Sequence, residues 1–202
     1  MAGNTETRGL LDLRKQFIFY ASYHNNTVNV AIHLFCIWNL VWSGLVLFHH
    51  TPVILDPPAP LSNFPLIGDI PVNIPLFITL TYVITYVLMD PVAGGIGALL
   101  MLFLNKWTWT LVSAGNPING FPLWQPVLGF HLVMWIAQFI GHGVFEGRAP
   151  ALLDSLDQAF ITAPLFVILE ILCFLGYKKE FYDECMVEVE KQIEAFRNSK
   201  TK

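Results

Sequence analysis

Charge is what this sequence has least of. Asp, Glu, Lys and Arg make up 13% of its 202 residues, about half the share usual in a soluble domain. The shortage is local. Residues 30–145 carry only Asp56, Asp69, Asp90 and Lys106, while the flanks 1–29 and 146–202 hold the rest of the 15 acidic and 11 basic side chains. A net charge of −4 and an isoelectric point near 5.8 leave no basic footprint, which excludes a nucleic-acid partner. Three cysteines, Cys36, Cys173 and Cys185, lack CxxC spacing, so neither a disulfide framework nor a thiolate zinc site is expected. The start, Met-Ala-Gly-Asn-Thr-Glu, lacks the basic-then-apolar order of a cleaved signal. There is no G-x-S-x-G nucleophile elbow and no dinucleotide fingerprint.

What is present is apolar. Hydrophobic residues reach 54% and mean hydropathy is +0.55, which points to an all-α, polytopic integral membrane bundle. Five apolar segments are expected at about 28–48, 72–89, 92–112, 127–145 and 159–175. The last holds Pro164 and Glu170 and follows Asp154 and Asp157, so it is the segment expected not to cross. That leaves about four crossings, with Arg8, Arg14 and Lys15 before the first and Lys178 and Lys179 after the last on the cytoplasmic side. Residues 1–27 are expected to form an N-terminal amphipathic helix at the bilayer surface, carrying Leu10, Leu13, Phe17 and Tyr20 on one stripe. Residues 28–177 form the membrane-embedded catalytic part. Residues 178–202 form a cytosolic amphipathic tail, striped by Phe181, Cys185, Val189, Ile193 and Phe196.

Six histidines are the chemistry-bearing side chains available in number. His24, His33 and His142 fall at one end of the first and fourth spans, and His49 and His50 at the other end, where they read as interfacial polar residues. On one unbroken helix the nine residues from His24 to His33 would turn about 900°, placing the rings on opposite faces. The Asn25-Asn26-Thr27 break is therefore needed for them to converge. His131, Gln138, His142 and Glu146 advance by helical steps along one stripe. Imidazoles gathered at a membrane boundary without cysteine fit ferrous iron better than structural zinc. The competing reading is that each histidine hydrogen-bonds a neighbouring helix.

Tyr20 to His33, with Trp135-Ile136-x-Gln138-Phe139-Ile140-Gly141-His142-Gly143-x-Phe145-Glu146-x3-Pro150-Ala151-Leu152, closely resembles a membrane-protein family with bacterial and fungal members. The fungal members are endoplasmic-reticulum 2-hydroxy fatty acid dioxygenases. The resemblance implies Fe(II)-dependent α-oxidation of a 2-hydroxy fatty acid by O2, giving an acid one carbon shorter in phytosphingosine breakdown. It implies an endoplasmic-reticulum membrane location. By motif position, His24, His33 and His142 take the metal, and Asn26, Asn29, Gln138 and Glu146 are expected around them. Arg148 is a candidate for the substrate carboxylate. His131 lies outside the shared motif and is expected as a fourth ligand only if the helix breaks between it and His142, about 16 Å along the axis. The reaction needs no second cofactor, because R–CH(OH)–COOH and O2 balance to R–COOH, CO2 and H2O. The rival from another class is a non-catalytic membrane scaffold or small transporter, whose signature is polar residues at the midplane and pseudo-symmetric halves.

Overall fold

The computed structural model describes residues 9–57, 68–150, 152, 154–156 and 158–200. Residues 58–67 of the long proline-rich loop lie outside them, as do 1–8 with the flanking Arg8, Ala151, Leu153, Asp157 and 201–202. Among the described residues every element is helical: α1 (Leu13–Tyr23), α2 (Thr27–Phe48), α3 (Ile74–Met89), α4 (Ala93–Ala114), α5 (Trp124–Ile140), α6 (Ala163–Phe174) and α7 (Lys179–Lys200). Two π-helical turns, Gly141–Glu146 and Gln158–Thr162, sit after α5 and before α6.

The helix ends follow from local chemistry. Asp12 caps α1 by accepting from Lys15 N, and Asn26 caps α2 by accepting from Val28 N and Asn29 N. Asn73 caps α3, where Pro75 in the first turn forfeits an N–H that had no helical partner in any case. The α3–α4 hairpin is tight. A Cβ on Gly94 would lie 1.9 Å from the carbonyl oxygen of Tyr86, so only glycine allows this approach. Asp90 secures the corner. It accepts from Ala93 N at 2.8 Å, the Tyr177 hydroxyl at 3.0 Å and Lys178 Nζ at 2.6 Å. Burial pushes its carboxyl up, but Lys178 and these other donors outweigh that and hold it below the usual carboxylate range.

Three helices, α2, α4 and the continuous stretch Trp124–Glu146, are each long and apolar enough to cross a bilayer. At 16 residues α3 is shorter, about 24 Å against a hydrocarbon core of about 30 Å. Segment Phe160–Phe174 passes the same test only together with Lys179–Ser199, and the two meet at a bend of 116°. The chain is thus a helical membrane bundle in which α6, with Pro164 in its first turn, meets α7 at a sharp angle.

The two ends of the chain lie together. Phe17 of α1 packs against Phe166 of α6 and against Phe181 and Tyr182 of α7, and Arg14 pairs with Glu184 at 2.7 Å. Cys185, Val189 and Ile193 of α7 are buried in the same core. The apolar stripes of both amphipathic helices are therefore covered to a large extent by protein. All three cysteines are buried and free.

Candidate metal centre at the head of an apolar cavity

The break between α1 and α2 turns His24 toward His33. α1 ends at Tyr23, α2 begins at Thr27, and the ring centroids of the two histidines come to 4.4 Å. His142 enters from the π-helical turn beyond α5, 4.9 Å from His24 and 4.7 Å from His33. One nitrogen from each of the three rings lies within 4.8 Å of the others, and all three residues are buried. A π turn is a wider coil than an α turn and recurs at functional sites. Here it carries the stripe from α5 on to Glu146 and ends at Gly147, whose N–H donates to the carbonyl of His142.

Backbone carbonyls fix two of the rings. His24 Nδ1 lies 2.7 Å from Tyr20 O, and His33 Nδ1 lies 2.9 Å from Asn29 O. Those carbonyls only accept, so each Nδ1 carries the proton and each Nε2 keeps a free lone pair. His24 Nε2 and His142 Nδ1 are buried with no hydrogen-bond partner. Burial first, then the neighbouring His33 and His142 rings, hold His24 well below the ordinary imidazole range, so it is neutral at physiological pH. Neutral, oriented, unpartnered imidazole nitrogens are the donor set a divalent metal requires. The residues fit such an ion, and His24, His33 and His142 would hold it.

Around the triad three of the expected motif residues, Asn26, Asn29 and Glu146, form one network. The Glu146 carboxylate accepts from Asn25 N at 3.1 Å, Asn26 N at 2.9 Å and the Asn29 side-chain amide at 3.1 Å. It thereby ties the His142 turn to the N-terminus of α2, where a negative charge is also favoured by the helix dipole. Asn29 donates in addition to Tyr23 O at 3.2 Å and is fully buried. Gly141 makes room for it, since a Cβ there would sit 2.4 Å from Asn29 Oδ1. Gln138 lies one turn before His142, with its buried amide nitrogen unpartnered.

The other candidates lie elsewhere. His131 is outside the converging group. Trp135 Nε1 donates to its Nε2 at 3.0 Å, and its Nδ1 meets Ser43 Oγ of α2 at 2.8 Å, which is the inter-helix bond of the competing reading. Arg148 donates to Ser22 O at 3.0 Å, and its guanidinium sits 3.4 Å over the Tyr23 ring and 4.5 Å from that of Phe196. It is a clasp between α1 and α7 and does not line the cavity below the triad. His50 is exposed, as an interfacial residue should be. His49 departs from that expectation. It is buried at the far end of the bundle, between Asn105 Oδ1 at 2.9 Å and Asn73 Nδ2 at 3.2 Å, because α4 and the α3 cap each supply an amide.

In the sequence Tyr20 reads as part of the apolar stripe of the first helix and as a motif position. Its ring stacks on His24 at 4.2 Å and its hydroxyl donates to Glu170 at 3.2 Å, which shelters the one carboxylate of the fifth apolar segment. The four-residue spacing from Tyr20 to His24, one helical turn, is the available signal.

Below the triad opens a cavity of about 690 Å3, walled by α2, α3, α5 and the chain leading into α6. That is within the range of small-molecule sites. Apart from His24, His33, His142, Gln138, His131 and two tyrosines, its lining is aliphatic, aromatic, proline or glycine.

A sequence model of a family described as 2-hydroxy-palmitic acid dioxygenase Mpo1-like matches residues 10–175. The chain belongs to the Mpo1-like family. It is 32% identical over 169 residues to the 2-hydroxy-palmitic acid dioxygenase MPO1 of Saccharomyces cerevisiae, covering 84% of each chain. No solved structure matches it. The matched span includes every residue of the triad and its network.

Proposed function

We propose that this protein is an iron-dependent dioxygenase of the membrane that shortens a 2-hydroxy fatty acid by one carbon and releases the carboxyl carbon as CO2. The observation that carries this reading is the juxtaposition of three converging, buried imidazoles, two of them with an unpartnered ring nitrogen, with the polar end of an apolar cavity. A fatty acid has one polar end and one apolar body, and the site has the same division. Similarity to the yeast 2-hydroxy-palmitic acid dioxygenase supports the substrate class. An all-imidazole donor set without thiolate accommodates Fe(II), and a reaction that consumes O2 calls for a redox-active metal. The endoplasmic-reticulum membrane and a place in phytosphingosine breakdown rest on the family resemblance, and a cytoplasmic-facing site rests on the basic residues flanking the first and last apolar segments.

When bound, Fe(II) supplies the redox chemistry toward O2 and a Lewis-acidic contact for substrate oxygen. The chain's own residues do the rest. Tyr20 O and Asn29 O keep the protons of His24 and His33 on Nδ1. Gln138 offers its unpartnered amide N–H to a substrate oxygen. The apolar walls hold the acyl chain and exclude water, which strengthens every polar contact at the head of the cavity.

The test is to purify the protein in detergent, measure its metal, and supply O2 and 2-hydroxypalmitate isotopically labelled at the carboxyl carbon. Pentadecanoate and labelled CO2 are the expected products, one of each per O2 consumed. Activity should vanish with a chelator and return with Fe(II) but not Zn(II). A metal-loaded protein that leaves 2-hydroxypalmitate intact overturns the reading and favours a scaffold or transporter.

A further inference from the structure

The cavity has a measurable depth. Along α2 its wall is built from His33, Ile37, Val41, Gly44 and Phe48, a continuous helical stripe. The stripe spans about 22 Å from His33 to Phe48, and Gly44 lies about 16 Å down it. Opposite, on α5, His131 lies at the same depth, about 16 Å from His142. The two levels do meet, because a Cβ built on Gly44 falls 3.8 Å from His131 Cε1. Half the hydrocarbon core of a bilayer, which one leaflet's acyl chains fill, is about 15 Å. The wall is therefore longer than one leaflet, and the Gly44–His131 level comes near its end.

Gly44 leaves this level bare, and His131 opposite it is rigid. The indole N–H of Trp135 fixes the lone pair of His131 on Nε2, so Nδ1 bears the proton and donates to Ser43 Oγ. Ser43 in turn donates to Asn39 O at 2.7 Å. With both nitrogens held, the half-buried imidazole cannot turn aside without breaking two hydrogen bonds. A side chain larger than methyl at position 44 must then enter the cavity.

We propose that the bare wall at Gly44, faced by the fixed His131 ring, sets the length of acyl chain the site accepts, admitting the end of a long chain to the space between Phe48 and Ile78. This inference rests on the fatty-acid reading of the site and adds a specificity determinant to it. His131 acts here as a wall and takes no part in holding a metal.

The experiment measures the ratio of kcat/KM for 2-hydroxypalmitate over 2-hydroxydecanoate in the full-length protein, and in Gly44→Leu and Ile78→Phe. Ile78 lines the same cavity from α3, five residues from Asn73, whose side chain meets His49, itself five residues from Gly44; it lies on neither α2 nor α5, so it answers for Gly44→Leu should that variant not fold. Each methylene denied burial costs about fourfold, so the ratio should fall on the order of tenfold or more in both variants. A second arm measures displacement of a fluorescent fatty acid by palmitate and by decanoate, which lack the 2-hydroxyl and report binding without turnover. The same fall in the binding ratio is expected. An unchanged ratio in the folded variants overturns the chain-length assignment. A wild-type protein that ranks the plain acids by length but turns over neither hydroxy acid overturns the proposed reaction and leaves this assignment standing.

Discussion

Histidine is buried at both ends of this bundle, and its treatment at the two ends is opposite. At the far end His49 is satisfied on both ring nitrogens, by Asn105 and by Asn73. At the near end His24, His33 and His142 face one another edge to face, and His24 Nε2 and His142 Nδ1 have no partner. A buried polar atom without a partner costs roughly 1–3 kcal/mol. Two such ring nitrogens within one triad of histidines are a burden that a bound metal ion would relieve. His131 is the intermediate case: it lines the same cavity, yet both its nitrogens are engaged. Burial alone therefore does not mark the site; an unspent lone pair does.

The largest effect expected is loss of the unspent lone pairs. His24→Ala, His33→Ala and His142→Ala should each lose bound metal and fall below about one-hundredth of wild-type turnover, since even partners outside a metal's ligand set are worth about 10–100-fold. Metal analysis of the purified variants beside product formation checks this. A His142→Ala protein that keeps full metal and activity would falsify the triad as the metal centre.

How much of this contrast the sequence discloses depends on the range of the interaction. The helix break at Asn25-Asn26-Thr27 is local chemistry, and it is legible because asparagine caps a helix with its own side chain. Convergence of His24, His33 and His142 was legible as a sorting of histidines by bilayer side plus a motif. The partners of His49 were not, because Asn73 and Asn105 are 24 and 56 residues away and no spacing rule joins them. Arg148 illustrates the same limit. A cation beside a motif invites a substrate carboxylate, but the rings of Tyr23 and Phe196 that stack on it come from the two ends of the chain. The apolar segments were the easiest to read, within a few residues at each end. The π turn that carries His142 and Glu146 was not legible, since π and α turns share one composition.

The next effect sharpens the near end. Glu146 presents two carboxylate oxygens to Asn25 N, Asn26 N and Asn29 Nδ2, whereas glutamine at this position offers one oxygen and a donor that faces donors. Glu146→Gln should loosen the α2 N-terminus against the His142 turn. Metal affinity should drop about 10–100-fold, as for other partners that orient ligands from outside. Titrating Fe(II) into chelator-stripped protein measures the affinity directly. Turnover at saturating iron should recover a larger share of wild type than in the alanine variants of the triad. An affinity equal to wild type would mean that the network holds the helices together without setting the site.

The smallest effect on chemistry, and the sharpest contrast, is expected from His49→Ala. Deleting this ring leaves Asn105 Oδ1 and Asn73 Nδ2 buried without it, where Asn105 Nδ2 already lacks a partner. The cost should be about 1–3 kcal/mol of stability, read as a lower midpoint of thermal unfolding in detergent. Metal content per folded molecule should stay at the wild-type value, because no ligand, network partner or cavity wall is touched. His49→Gln, which restores a donor and an acceptor in less space, should recover part of the midpoint. Loss of metal in a folded His49→Ala protein would show that the two ends are coupled through α2, and that the far-end histidine serves the site as well as the fold.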